Sequence, residues 1–317
     1  MSFSKKIINI VNEEFEAKRV RNEDTRQDRL FEIYSKIPEI RAIDKELSLT
    51  GIKIMACALE GKEGLNERIE SLKAKNLELQ EKRADLLKSK GYEGDYTDMH
   101  YDCPICQDWG AHNGKICGCY KERLIAEQFK ISGVANLIKT QSFATFSLDM
   151  YENKEDMSEL LGFAENYVSD FDKIKENVLF VGGTGLGKTH MSTAIAKELI
   201  ENGYNVVYET AQNIFFDFDA DRFKDRFSNE EPESNKYLEC DLLIIDDLGA
   251  EAINSFTVAC LYNIINTRLN KNLPIIASTN LSSKEIRDKY HDRITSRLFG
   301  EFTIKIFQGK DLRKIKK

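Results

Sequence analysis

The chain has 317 residues, of which 41% are hydrophobic and 31% charged, and a formal net charge of −7. That length favours two domains with separate cores, and a charged fraction above the roughly 25% average suits long, solvated helices. The acidic balance excludes a surface that binds polyanions everywhere. No apolar run near a motif approaches the roughly 18 residues of a membrane span, and Met1 to Lys6 leads into no signal-like stretch, so a cytoplasmic protein without membrane contact is expected.

Residues 1 to about 95 mix dense charge with apolar residues at helical spacing. Ile33, Ile37, Ile40, Ile43 and Leu47 form one stripe, with Pro38 marking a helix start or kink. Leu65, Leu72, Leu79 and Leu86 repeat every seven residues, with Ile69, Asn76 and Arg83 between them as in a heptad seam. Two of those three partners are polar, which leaves a hairpin within one subunit as open as a dimeric coiled coil. Composition shifts at Gly91 to Asp102. Cys103-x-x-Cys106 follows, then ten residues, then Cys117-x-Cys119. Four clustered thiols suit tetrahedral Zn²⁺, with His112 an alternative ligand to one later cysteine. Cys57, Cys240 and Cys260 stand apart and read as buried thiols.

From about residue 135 strands and helices alternate, which is how a parallel sheet covered by helices reads. Expected strands are Val178 to Val181, Val206 to Tyr208, Leu242 to Ile245, Pro274 to Ser278 and Phe302 to Phe307, the last alternating like an edge strand. Expected helices are Lys188 to Asn202, Ser255 to Asn270, Lys284 to Tyr290 and Arg293 to Leu298. The basic tail Lys310, Arg313, Lys314, Lys316 and Lys317 reads as a solvated charge run or a local nucleic-acid contact.

Gly182-Gly183-Thr184-Gly185-Leu186-Gly187-Lys188-Thr189 fits G-x-x-x-x-G-K-[ST] between a strand and a helix. Backbone N–H groups of such a loop and the helix N-terminus hold phosphates. Lys188 is expected on the β and γ phosphates of ATP and Thr189 on Mg²⁺, with His190 in the same binding set. Leu242 to Ile245 ends in Asp246 and Asp247, expected to hold the Mg²⁺ shell and to polarise the attacking water; two aspartates capping a turn are the alternative. Asn280 ends another apolar strand, where an amide reaches the γ-phosphate or caps a helix. Arg293 and Arg297 share a helical face.

These motifs, from about Gln141 to Phe307, resemble the ATPase domain of replicative helicase loaders of the DnaC/DnaI-like family and of the related IstB-type transposition helper ATPases. The resemblance implies an α/β AAA+ P-loop sheet that lacks a C-terminal lid, at 131–317. Before it, at 1–130, it implies a helical helicase-binding domain with a zinc-knuckle-like module at about 100–120. It makes Asp246 and Asp247 the Walker B end, Asn280 the first sensor, and Arg297, or Arg293, a finger reaching a neighbour's nucleotide. It further implies an ATPase that forms a homo-oligomer on binding ATP and loads a hexameric replicative DNA helicase onto single-stranded DNA during replication. DNA contact would come from the helical insertion Asn213 to Phe227, where Phe215, Phe216, Phe218, Phe223 and Phe227 mix with Arg222, Lys224 and Arg226; core packing is the other reading of those aromatics. Alternative functions are a transposition helper and a non-hydrolysing ATP and zinc adaptor.

Overall fold

The computed structural model describes residues 3–59, 64–223 and 232–314. It divides into two compact units, Asn12–Tyr120 and Met1–Val11 together with Lys121–Lys317. Lys224, Arg226, Phe227, Lys316 and Lys317 lie outside the described residues.

The first unit is built on α1 (Lys5–Lys36), which runs into it, then α2 (Pro38–Ser48), α3 (Thr50–Leu59) and α4 (Leu65–Ser89), followed by the two-residue strands β1 (Ala111–His112) and β2 (Lys115–Ile116). Pro38 starts a helix: it occupies the first turn of α2, where its missing N–H would have no partner in any case. The isoleucine stripe is spent inside the unit, since Ile33, Ile37 and Ile40 form a small core with Leu87. The polar seam positions of α4 also find partners within the chain. Asn76 Nδ2 donates to Thr50 Oγ1 at 3.0 Å, and Arg83 donates to both oxygens of Asp44 at 2.6 and 3.3 Å and to Thr97 Oγ1 at 2.6 Å. A polar residue at a coiled-coil seam weakens dimerisation unless matched; here the matches come from α2, α3 and residue 97, so the seam closes a hairpin.

The second unit takes in most of α5 (Gly118–Ile131), then α6 (Lys154–Ser169), β3 (Asn177–Val181), α7 (Lys188–Glu201), β4 (Val206–Thr210), α8 (Ala211–Phe223), α9 (Asn235–Glu239), β5 (Leu242–Leu248), α10 (Ser255–Asn270), β6 (Ile275–Thr279), α11 (Ser283–Lys289), α12 (Asp292–Gly300) and β7 (Phe302–Ile306). The five strands form a parallel sheet in the order β4-β5-β6-β3-β7. Because side chains alternate across a strand, β3 places Val178 and Phe180 in one core with α6 and α7, and Leu179 in the other with α8, α10 and α12. Both faces are covered, as parallel sheets require. β7 forms one edge; Phe302 is buried, but Ile304 and Ile306 are exposed, so the apolar alternation of this strand does not face the core as expected. α5 packs within the second unit: Leu124 and Gln128 are buried, and Gln128 Nε2 donates to the Val206 carbonyl at 2.9 Å. Among the described residues no helix is long and apolar enough to cross a membrane.

Candidate nucleotide site and cysteine cluster

Strand β3 ends in the glycine-rich loop, and the loop ends in α7. Gly185 has φ +73 and Gly187 φ +93, in the left-handed region that favours glycine. A Cβ on Gly187 would lie 2.3 Å from Tyr151 Oη, and one on Gly185 would lie 1.8 Å from Asp311 Oδ1. Lys188 is buried. Its ammonium donates to the carbonyls of Gly182 and Gly183 at 2.7 and 2.6 Å and to Asn280 Oδ1 at 2.7 Å. Burial lowers its pKa, the charges of Asp247 and Asp246 oppose that shift, and the Arg313 guanidinium adds to it.

Adjacent strands in a parallel sheet bring their carboxyl ends together, so β5 and β6 deliver Asp246, Asp247 and Asn280 beside the loop. Asp246 is buried, and its carboxylate accepts hydrogen bonds from Thr189 Oγ1 at 3.1 Å, from Tyr208 Oη at 2.5 Å and from the Ser278 hydroxyl. Three hydroxyls fix one carboxylate in place, and burial together with the Asp246 charge pushes the Tyr208 phenol well above its ordinary range. The ladder between β5 and β6 is irregular between Ile245 and Leu248. There Asp247 adopts φ +53, which turns its carboxylate out of the sheet. Asn280 Nδ2 approaches Asp247 Oδ1 at 3.4 Å. Burial, and then repulsion from Asp246, raises the Asp247 pKa.

These groups line a cleft of about 500 Å³ that also takes in Thr140, Gln141, Met150, Leu312 and Arg313. The cleft therefore gathers Gly185 to His190, Asp247 and Asn280, with Asp246 directly behind Thr189. A cation held by Thr189 and Asp246, and phosphates held by the loop, would meet the Asp247 carboxylate and the Asn280 amide. His190 sits at the cleft wall but spends its Nε2 on the turn before the sheet, 3.2 Å from both Ser142 N and Thr145 Oγ1. Tyr208 and Ser278 carry no signal in the sequence; their position one strand over from Asp246 is a property of strand order. Arg297 is not among the residues that line the cleft; its guanidinium lies over the Tyr262 ring at 4.6 Å and donates to Asn266 Oδ1 at 2.9 Å. Arg293 is exposed on the same helix.

The aromatic insertion divides in two. Phe215 is buried, and Phe218 stacks with Tyr237 at 6.2 Å. Phe216 and Phe223 are exposed, and Arg222 lies over Phe223 and Phe256 at 5.9 and 4.7 Å. Two aspartates of the same segment hold local structure: Asp217 accepts from Lys236 and Tyr237, and Asp221 accepts from the backbone of Glu233 and Ser234.

In the first unit the sulfurs of Cys103, Cys106, Cys117 and Cys119 all lie within 4.8 Å of one another. The Cys103–Cys117 pair is 3.8 Å apart and the Cys106–Cys119 pair 3.4 Å. With Zn–S bonds of about 2.3 Å a tetrahedron has edges of about 3.8 Å, so the four thiols fit such an ion. His112 is exposed on β1 and is not part of the group. Asp108, buried with φ +59, holds the knuckle by accepting from Cys103 N at 2.9 Å, Asp102 N at 3.0 Å and Asn22 Nδ2 at 3.1 Å. Backbone hydrogen bonding from Cys106 brings the Cys103 thiol down to about 7, whereas burial pushes the Cys119 thiol up.

A family model described as IstB-like ATP binding protein matches residues 122–299. Among curated proteins, the phage-like element PBSX protein XkdC of Bacillus subtilis (strain 168) is 28% identical over 223 residues, which is 65% of this chain and 80% of that protein. The replicative helicase loader DnaC of Escherichia coli (strain K12) is 26% identical over 195 residues, 60% of this chain and 78% of the relative. Among solved structures, that of the DnaC helicase loader is 22% identical, covers 52% of this chain and 98% of its own, and superposes with a TM-score of 0.45.

Proposed function

The chain belongs to the IstB-like ATP-binding protein family, and on that premise we propose that it is an ATP-hydrolysing loader that places a hexameric replicative helicase on single-stranded DNA. The α/β unit would be the switch. Lys188 and the loop N–H groups would bind the phosphates of ATP; Thr189 and Asp246 would hold Mg²⁺, which would supply charge neutralisation at the phosphates. Asp247 orients and polarises the attacking water, and Asn280, bonded to both Lys188 and Asp247, senses the γ-phosphate. Arg297 does not line its own cleft, which supports a role at a neighbour's nucleotide in an ATP-dependent homo-oligomer, with Arg293 as second candidate. Phe216, Arg222 and Phe223 supply the stacking and charge that single-stranded DNA needs.

The helicase reading rests most on one observation: the separate helical unit leaves large apolar side chains in water. Ile52, Met55 and Leu59 on α3 and Leu77 on α4 are exposed, Leu59 at 88%. Beside the cysteine cluster, Ile105 and Trp109 are exposed as well. Such side chains mark a surface that meets a partner. The isoleucine stripe is buried, so the docking face is the α3–α4 side and the knuckle. Zn²⁺ in the four cysteines would brace the knuckle.

Co-purification of the full chain with its host's replicative helicase, with and without ATP, tests this. We expect capture by the wild-type chain and loss of capture in a Met55→Asp, Leu59→Asp double variant that still binds ATP. Undiminished capture by that variant would move the docking face elsewhere, and capture of a transposase in place of the helicase would favour the transposition reading.

A further inference from the structure

As far as Lys314, the basic tail is not a free charge run. Beyond β7 the Phe307 N–H donates to the Val181 carbonyl at 2.7 Å, and the Phe307 ring packs edge-on against Phe180 at 5.2 Å. The chain then turns across the glycine-rich loop. Leu312 N donates to the Gly185 carbonyl at 3.0 Å, and the Asp311 carboxylate lies where a side chain at residue 185 would be. Asp311 Oδ1 in turn accepts from Arg313 N at 3.0 Å. Leu312 packs on the core that holds Leu186. This sequence of contacts carries Arg313 into the wall of the cleft that Lys188, Asp247 and Asn280 also line. Its charge reaches both Lys188 and Asp247. Among the described residues Arg313 forms no ion pair, whereas Lys310 of the same tail pairs with Glu152 at 2.6 Å.

We propose that Arg313 is a phosphate ligand of its own subunit's nucleotide, delivered by a C-terminal strap that docks on the glycine-rich loop. A triphosphate brings several negative charges to a cleft where Lys188 is already shared among two carbonyls and an amide. A guanidinium offers a fork of donors that fits phosphate oxygens and never loses its proton. Because Leu312 N is bonded to the Gly185 carbonyl and Asp311 packs against Gly185, a shift of the loop on nucleotide exchange moves the strap with it. The inference rests on the reading of this cleft as an ATP site.

The test is a titration of the full chain with a fluorescent ATP analogue, at protein concentrations low enough to keep it monomeric, for the wild type, Arg313→Ala, Arg313→Lys and Lys188→Ala. Melting without nucleotide is followed in parallel. We expect Arg313→Ala to melt as the wild type does, to bind the analogue roughly ten- to a hundred-fold more weakly, and to lose most of the melting rise that ATP gives. Arg313→Lys should recover part of the affinity. Wild-type affinity in Arg313→Ala, or a loss that appears only in concentrated, associated protein, would overturn the inference while leaving the ATP site standing. Failure of the wild type to bind, or binding untouched by Lys188→Ala, would overturn the site reading and this inference together.

Discussion

Replacing Asp247 with Asn should separate hydrolysis from binding. Asp247 is exposed at the cleft with φ +53, a conformation that Asn tolerates nearly as well. The neighbouring Asp246 keeps its three hydroxyl donors, so the metal-side geometry survives. A positioned base contributes roughly 10²- to 10⁴-fold, or about 3–5 kcal/mol of transition-state stabilisation at 1.36 kcal/mol per decade. ATP turnover should fall by that factor while the dissociation constant for ATP stays level or improves, because a negative charge beside the phosphates has gone. Stability follows a checkable sign. Partial desolvation at the cleft wall and the Asp246 charge raise the Asp247 pKa, so the folded protein carries a penalty when this carboxyl is ionised, and the penalty is relieved as pH falls through the raised value. The Asp247→Asn variant should therefore be the more stable form at neutral pH, by no more than about 0.5 kcal/mol for so exposed a position, with the gain shrinking under acid. Urea melts at neutral and acid pH, beside a nucleotide titration and a phosphate-release assay, read all three effects. Turnover within a factor of two of wild type would refute the base assignment.

Tyr208→Phe removes a buried 2.5 Å hydrogen bond to Asp246 and should cost about 1–3 kcal/mol in a denaturant melt, together with a higher Mg²⁺ requirement for turnover; an unchanged melt would mean that Thr189 and Ser278 suffice. Metal analysis should give one Zn²⁺ per chain, and a strong chelator should unfold the knuckle and expose four reactive thiols, since structural zinc typically contributes on the order of 10 kcal/mol to its module; metal-free protein with the same thiol reactivity before and after chelation would contradict this. Mixing Arg297→Ala chains with Lys188→Ala chains should restore turnover that neither has alone, because the second supplies the finger and the first the nucleotide; a mixture as inactive as its parts would place the finger at Arg293 or elsewhere.

Much of this architecture is legible in the sequence because its signals are local. The strands Val178 to Val181 and Leu242 to Ile245 are short apolar runs bounded by turn residues, and α7 and α10 keep a 3.6-residue period. Asp246 and Asp247 can be placed beside the loop because parallel strands end on one side of a sheet. What is not legible depends on distant parts of the chain. Tyr208 meets Asp246 only because β4 lies next to β5, and Arg313 reaches the cleft only because Gly185 lacks a side chain where Asp311 sits. The polar seam residues Asn76 and Arg83 argue against a coiled coil, but their partners Thr50 and Asp44 are 26 and 39 residues away. Periodicity finds the isoleucine stripe without saying which of two helical faces meets water; Leu87, folding back on it, decides that. Helix α6 escapes the sequence reading although Met157, Leu160, Ala164 and Tyr167 follow the period, because Gly162 and the charged residues around them dilute the apolar run.

ATP-dependent delivery of a helicase is the central claim. The direct measurement is the amount of the host's hexameric replicative helicase recovered by gel filtration on single-stranded DNA circles coated with single-strand-binding protein, with this chain and ATP present. Loading should be several-fold above helicase alone with the wild-type chain and should fall to the background with Lys188→Ala. Equal recovery with and without the chain, or loading that Lys188→Ala supports as well as wild type, would contradict the central claim.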